Sequence, residues 1–221
     1  MGNDLIRYLY SIFFPERCRG CGTVGSAICI RCIRNIPLAS KLPPGTYGVF
    51  AYTNRIVRWT IRDLKYHRRS ESARILTAAA APYINDYIAD VLPTIHEERL
   101  VLVPIPEHRR KETSRGFNQS ALLATWWKPT IPGSVISHLL EKTVATLPQA
   151  RLNRNARLQN VAHTMRCTEV LDAKTMYVVI DDVTTTGATF IEARRALTAA
   201  GAKKILCIAL AHGYAHAYIP L

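Results

Sequence analysis

The alternation of apolar and polar positions divides the chain into recognisable elements. "YGVFAY" (47–52) is aromatic and β-branched and predicts a strand. In "NRIVRWTIRDLKYHRR" (54–69), Ile56, Trp59 and Leu64 fall at roughly helical spacing among cations, and Asn54 stands at an N-cap position. "SARILTAAAAPYINDYIADVL" (72–92) is alanine-rich and predicts a helix, with Pro82 marking a break or kink. "LVLVPIP" (100–106) predicts a buried strand ending in prolines, and "QSALLATWW" (119–127) a helix. "GSVISHLL" (133–140) reads as a strand and "ARLNRNARLQNVAHTM" (150–165) as a basic helix. "TMYVVI" (175–180) predicts a strand, "TFIEARRALTAAG" (189–201) a helix stopped by Gly201, and "KILCIALAH" (204–212) a strand. Strands alternating with helices from residue 100 onward predict an α/β fold with a parallel sheet flanked by helices.

Composition adds to this picture. The 221 residues are 48% hydrophobic with mean hydropathy +0.02, enough for one good core and a small appendage. No apolar run reaches the length of a membrane span. Residues 1–16 are apolar, but Asp4 and Arg7 interrupt them and no small-residue cleavage site follows, so a helix docked on the body is expected, not a leader. Lys and Arg outnumber Asp and Glu by 29 to 16, giving a formal charge of +13. Such an excess favours polyanions: nucleic acid, phosphorylated ligands or acidic membrane surfaces.

The cysteines are uneven. Cys18, Cys21, Cys29 and Cys32 form two Cys-x2-Cys knuckles, while Cys167 and Cys207 stand alone as core residues. Each knuckle turns two sulfurs toward one ion, and four thiolates suit a closed tetrahedral Zn²⁺ site of structural type; an iron–sulfur cluster is the alternative. Clustered pairs without a secretory signal suggest metal and a reducing compartment, not disulfides. The proline-rich "PLASKLPPGT" reads as a linker after this module.

The stretch "VVIDDVTTTGATF" (178–190) carries the densest chemistry. Asp181 and Asp182 follow the hydrophobic strand, at the carboxyl end where ligands bind in open α/β sheets. Thr184, Thr185 and Thr186 supply hydroxyls, Gly187 lets the backbone approach an anion, and Ala188 and Thr189 lead into a helix whose free N–H groups favour phosphate. Acceptors for ribose hydroxyls or Mg²⁺, followed by phosphate donors, suit a ribose 5-phosphate; the alternative is a capped helix with a polar surface turn. There is no Walker A motif and no G-x-G-x-x-G.

That stretch resembles the signature of type I phosphoribosyltransferases, in which a strand, two acids and T-T-G-x-T bind 5-phosphoribosyl-1-pyrophosphate (PRPP). Four further pieces are similar to the ComF family of phosphoribosyltransferase-like competence proteins, which includes GntX proteins: the four-cysteine finger, "IRDLKYH" (61–67), "VPIPEHRRKETSRGFNQSALLA" (103–124) and "TLPQARLNRNARLQNV" (146–161). Together they cover most of the chain in the family's order. The resemblance implies a type I phosphoribosyltransferase-like sheet at 41–221, with 41–95 as a candidate hood, after a helix and a four-cysteine zinc finger at 1–40. It also implies that Asp181 and Asp182 meet the ribose hydroxyls with Mg²⁺ nearby, that Thr184 to Thr189 hold the 5-phosphate, and that Pro104 and Ile105 belong to a pyrophosphate turn.

The basic segment around Arg109, Arg110, Lys111, Arg115, Asn118 and Gln119 lies in the position of the family's mobile loop over PRPP. Its lack of hydrophobic periodicity agrees with a loop. Arg151, Arg154 and Arg157 recur every third residue on one helix flank. With Lys65 and the cations from Arg55 to Arg74, they are candidates for single-stranded DNA contacts; Trp59 among them reads as a packing residue. The resemblance further implies a cytoplasmic protein of DNA uptake and natural transformation with a competence helicase as partner. A true phosphoribosyltransferase is the alternative, although no acceptor site or catalytic residue is recognisable; a gluconate-utilisation role rests on family naming only.

Overall fold

The computed structural model describes residues 15–39, 45–67, 70–91, 99–107, 109–143 and 163–213. The elements are α1 (Ile30–Arg34), β1 (Thr46–Ala51), α2 (Arg55–Leu64), α3 (Glu71–Val91), β2 (Leu100–Pro104), α4 (Arg109–Arg115), α5 (Gln119–Trp127), β3 (Ser134–Ile136), β4 (Leu140–Lys142), β5 (Met165–Cys167), β6 (Met176–Thr184), α6 (Ala188–Ala199) and β7 (Lys204–His212). Five strands make a parallel sheet in the order β1-β7-β6-β2-β3, and β4 pairs with β5 in a separate antiparallel ribbon. The expected parallel sheet flanked by helices is therefore the one observed.

Each face of the sheet has its own core. On one face, Val178, Ile180, Leu206 and Ile208 pack with Val57, Ile61 and Leu64 of α2, Leu76 and Ile84 of α3, and Leu123 and Trp127 of α5. On the other, Tyr177, Val179, Cys207 and Ala209 pack with Phe190, Ala193 and Leu197 of α6 and with Leu140 and Met165 of the ribbon. This division follows from strand alternation: odd and even residues of β6 serve opposite faces. Asn54 caps α2 as expected, accepting from the N–H groups of Ile56 and Val57. Trp127 is buried, and its indole N–H donates to the Thr77 carbonyl 3.0 Å away, fastening α5 to α3.

Several elements depart from expectation. Helix α3 runs unbroken through Pro82. Pro82 lies on the solvent side, where water can serve the carbonyl that proline leaves without a donor. The segment expected as a mobile basic loop contains helix α4. Its run R-R-K-E-T-S-R holds neither Gly nor Pro, and Gly116 ends it at φ 76°, donating its N–H to the Glu112 carbonyl. The strand expected at 133–140 is two short strands, β3 and β4, in different sheets. Strand β6 extends past Ile180 to Thr184, so Asp181 and Asp182 lie within it and not beyond it, with Asp181 in register with Ala209. The N-terminal helix at 1–14 and most of the helix at 150–165, including Arg151, Arg154 and Arg157, fall outside the described residues.

Candidate ligand site and metal centre

The site forms where the sheet changes winding direction. From β2 the chain leads outward to β3, and from β6 it leads the other way to β7. The helices that follow, α5 and α6, pack on opposite faces. The crevice at the carboxyl ends of β2 and β6 is thus a topological switch point, the standard ligand position in such sheets.

Asp181 and Asp182 occupy this crevice in different environments. The Asp181 carboxylate accepts from Ser120 Oγ at 3.0 Å and from the Asp182 backbone N–H at 2.9 Å. Burial, and then the charge of Asp182, push Asp181 up to about 7; the two hydrogen bonds oppose the shift and Glu107 adds to it. Asp182 is paired with Lys65, Nζ to Oδ2 3.5 Å. The charge of Asp182 in turn raises Lys65 against the effect of its own burial, with a smaller contribution from Asp181. One of the pair is held near its protonation midpoint while the other is compensated by a cation. This is how two adjacent carboxylates coexist in a partly buried site.

Beyond them, Val183 to Thr189 line a shallow open cup. Gly187 takes φ 76°, a left-handed conformation that side chains resist, and stands at the N-cap of α6 without a side-chain capping bond. The first turn of α6 therefore presents backbone donors and a positive dipole end to the cup. Thr186 Oγ1 accepts weakly from the Ala188 N–H, at 3.4 Å. The floor is fixed by β7, whose following residue Gly213 donates its N–H to the Thr184 carbonyl at 2.9 Å.

Pro104 ends β2, and Ile105 extends the pairing by donating its N–H to the Ile180 carbonyl at 2.9 Å. The Ile105 carbonyl accepts from Asn118 Nδ2 at 2.9 Å, while Asn118 Oδ1 caps α5 at the Ala121 N–H. Asn118 thus locks the proline turn to α5. Gln119 is buried beside it at 2% exposure. Arg115 pairs with Glu107 at 3.3 Å, and Arg109, Arg110 and Lys111 contribute backbone to α4. Of the cations chosen from sequence as loop or DNA contacts, Lys65 stands on the carboxylate pair. Ser120 and Glu107, both absent from the sequence-based set, belong to the site; nothing in their local pattern distinguishes them from ordinary helix-start and turn residues.

The four cysteine sulfurs lie within 4.8 Å of one another. Tetrahedral zinc with Zn–S of about 2.3 Å sets neighbouring sulfurs about 3.8 Å apart, and Cys21 and Cys29 are 3.6 Å apart. Cys18 Sγ accepts from the N–H groups of Gly20 (3.4 Å) and Cys29 (3.3 Å), as a thiolate ligand would. A Cβ at Gly20 would lie 2.6 Å from Cys32 Sγ, so the first knuckle needs glycine. The donor set fits a structural metal of zinc type.

The fold and these two sites define a class: a parallel α/β protein with a carboxylate pair and a threonine–glycine turn at its switch point and a cluster of four cysteines that could hold a metal. No protein-family model matches the chain. It is 30% identical over 195 residues to the DNA utilization protein YhgH of Salmonella typhimurium strain LT2, covering 85% of this chain and 80% of that protein. It is 28% identical over 198 residues to YhgH of Escherichia coli O157:H7, with 85% and 80% covered. Against YhgH of Escherichia coli strain K12 the identity is 30% over 152 residues, covering 66% of this chain and 62% of the relative. The chain belongs to the ComF-like family of the DNA utilization protein YhgH. Among solved structures, the adenine phosphoribosyltransferases of Leishmania tarentolae (TM-score 0.34, 13% identity, 78% of this chain and 94% of that one) and Leishmania donovani (0.33, 14%, 78% and 86%) show a distant likeness. Among the described residues no helix is long and apolar enough to cross a membrane.

Proposed function

We propose that this protein acts in DNA utilization, as its relatives are named, by binding a PRPP-like phosphoribosyl ligand at the switch-point crevice and single-stranded DNA on its basic surface. The observation that supports the ligand is the order of groups at the end of β6: two carboxylates, then a threonine–glycine cup opening onto the α6 N-terminus. In this reading the 5-phosphate lies in the cup and the ribose hydroxyls donate to Asp181 and Asp182. Pro104 and Ile105 border the pyrophosphate.

The paired carboxylates are hard oxygen donors suited to Mg²⁺, and Glu107 adds a third acid whose charge already reaches Asp181. A bound Mg²⁺ would supply charge neutralisation for the pyrophosphate. Lys65 would then leave Asp182 for the ligand's phosphates, and Asp181 would give up its proton. Titration calorimetry with PRPP and Mg²⁺ tests this. The wild type gives saturable heats, and Asp181→Asn with Asp182→Asn abolishes them; undiminished heats in the double variant would refute the assignment.

A further inference from the structure

Helix α2 carries all its cations on one stripe. Val57, Thr60, Ile61 and Leu64 are buried, while Arg55, Arg58 and Arg62 fall within the opposite arc at a helical rotation of about 100° per residue. The only acid in α2, Asp63, is engaged by His67 Nδ1 at 2.8 Å and Ser70 Oγ at 2.5 Å. Among the described residues, Arg55, Arg58 and Arg62 make no ion pair. Two aromatic side chains lie on the same stripe. Tyr66, just past the helix end, is 68% exposed. Trp59 is half-buried and carries the Arg19 guanidinium 3.8 Å above its ring.

The stripe also has a direction. The cysteine module meets α2 near its start: Arg19 covers Trp59, and the space beside Gly20 is filled by Cys32 and by the Ile56 side chain. At the other end, Lys65 reaches Asp182. A ten-residue helix is about 15 Å long, so its cationic edge lies between the cysteine module and the ligand crevice.

We infer that this edge, Arg19 with Arg55, Arg58, Arg62 and the exposed Tyr66, is the seat of single-stranded nucleic acid, running from the metal module toward the ligand crevice. The inference rests on the DNA-binding part of the proposed function and not on its PRPP part. Guanidinium groups on one helix edge match a phosphate backbone. An exposed ring beside them offers a stacking face to an unpaired base, which a duplex cannot use without opening. Lys65 is already held by Asp182, so the track ends at the crevice.

The test is fluorescence anisotropy of the full-length, zinc-loaded protein with a labelled oligonucleotide, over a salt series. The ridge variant is Arg55→Gln, Arg58→Gln and Arg62→Gln together. The control is Arg99→Gln, Lys174→Gln and Lys203→Gln, equal in charge change and at exposed positions. The ridge variant is expected to bind about tenfold or more weakly at low salt, and its slope of log affinity against log salt is expected to fall by about 2, at about 0.7 per lost single-strand phosphate contact. Tyr66→Ala is expected to weaken single strands several-fold while leaving any duplex binding unchanged. The control should match the wild type, and retained zinc in the ridge variant shows that the module is intact. Equal loss in ridge and control variants would overturn the inference while leaving DNA binding standing. So would duplex affinity equal to single-strand affinity, or capture by anionic vesicles but not by oligonucleotide. A wild type that binds no oligonucleotide would fail the DNA part of the proposed function first, and the inference with it.

Discussion

Asp181 offers a sharp test of how the site is built. Its carboxyl is pushed from 3.8 to about 7 by burial and by Asp182. Below pH 3.8 the group is protonated in both folded and unfolded chains and has no effect on stability. As pH rises to about 7 the unfolded chain releases this proton while the folded chain keeps it, so folding becomes progressively less favourable; above 7 the difference is constant. A rise of about 3 in pKa corresponds to roughly 4 kcal/mol as an upper bound. Asp181→Asn removes the titration but can keep the acceptor for Ser120 Oγ and for the Asp182 N–H. The variant should therefore be more stable than the wild type at about pH 8, and the gain should vanish by about pH 4. At roughly 2–4 °C per kcal/mol for a chain of this size, a differential-scanning measurement should show a rise of several degrees in Tm at about pH 8. A gain equal at about pH 5 and about pH 8, or a loss at the higher pH, would refute the account of the pair as a strained site held ready for a cation or a ligand.

Other expectations concern the supports of the site. Glu192 of α6 is 3% exposed, accepts from the Met165 N–H at 2.9 Å and pairs with Arg195, which donates to the Met165 carbonyl at 2.7 Å. Glu192→Ala strands these groups and should cost about 3 kcal/mol in urea unfolding. Gly187→Ala should cost about 1–2 kcal/mol from its positive φ and weaken phosphate-ligand binding in calorimetry. Gly116→Ala, also at positive φ, should cost similar stability without the affinity loss. Stripping the metal with a chelator should change tryptophan fluorescence, because the module carries the Arg19 cover of Trp59, and should lower Tm; an unchanged spectrum would disprove that coupling.

The sheet was legible because its signals are local and redundant. "TMYVVI" followed by two aspartates can serve few roles other than a buried strand reaching a site, and "VTTTG" marks the turn that follows. The extent of β6 was not legible. Polar residues such as Asp181 and Asp182 argue against a strand, yet pairing with Ala209 and Ala211 of β7 carries the ladder on to Thr184. Tertiary hydrogen bonding overrides side-chain preference there. The α4 segment departs from expectation for the opposite reason. Its seven polar residues show no amphipathic period, but they contain no breaker and a glycine stops them, which suffices for a short helix. Lys65 was visible as a cation but not as the partner of Asp182, since 117 positions separate them in the sequence (182 − 65). Ser120 and Glu107 were invisible for the same reason: their role exists only after β2, α5 and β6 converge.

The cysteine module packs on the body of the fold. The sequence reads as a docked helix and a four-cysteine finger at 1–40, followed by the proline-rich "PLASKLPPGT". In the fold, Ile28 and Ile36 are buried in the same core as Val57, Ile61 and Leu64. Leu38 bridges Phe50 of β1, and the Ala51 N–H donates to the Pro37 carbonyl. A metal that fixes Cys18, Cys21, Cys29 and Cys32 therefore also fixes the seats of Ile28 and Ile36 against α2. Burying those two side chains contributes on the order of 3–6 kcal/mol, a large share of the stability of a typical domain. The module is then a brace for α2, and α2 in turn sets the position of Lys65 over Asp182. Metal loss should reach the ligand crevice through the helix, without any direct contact between the two sites.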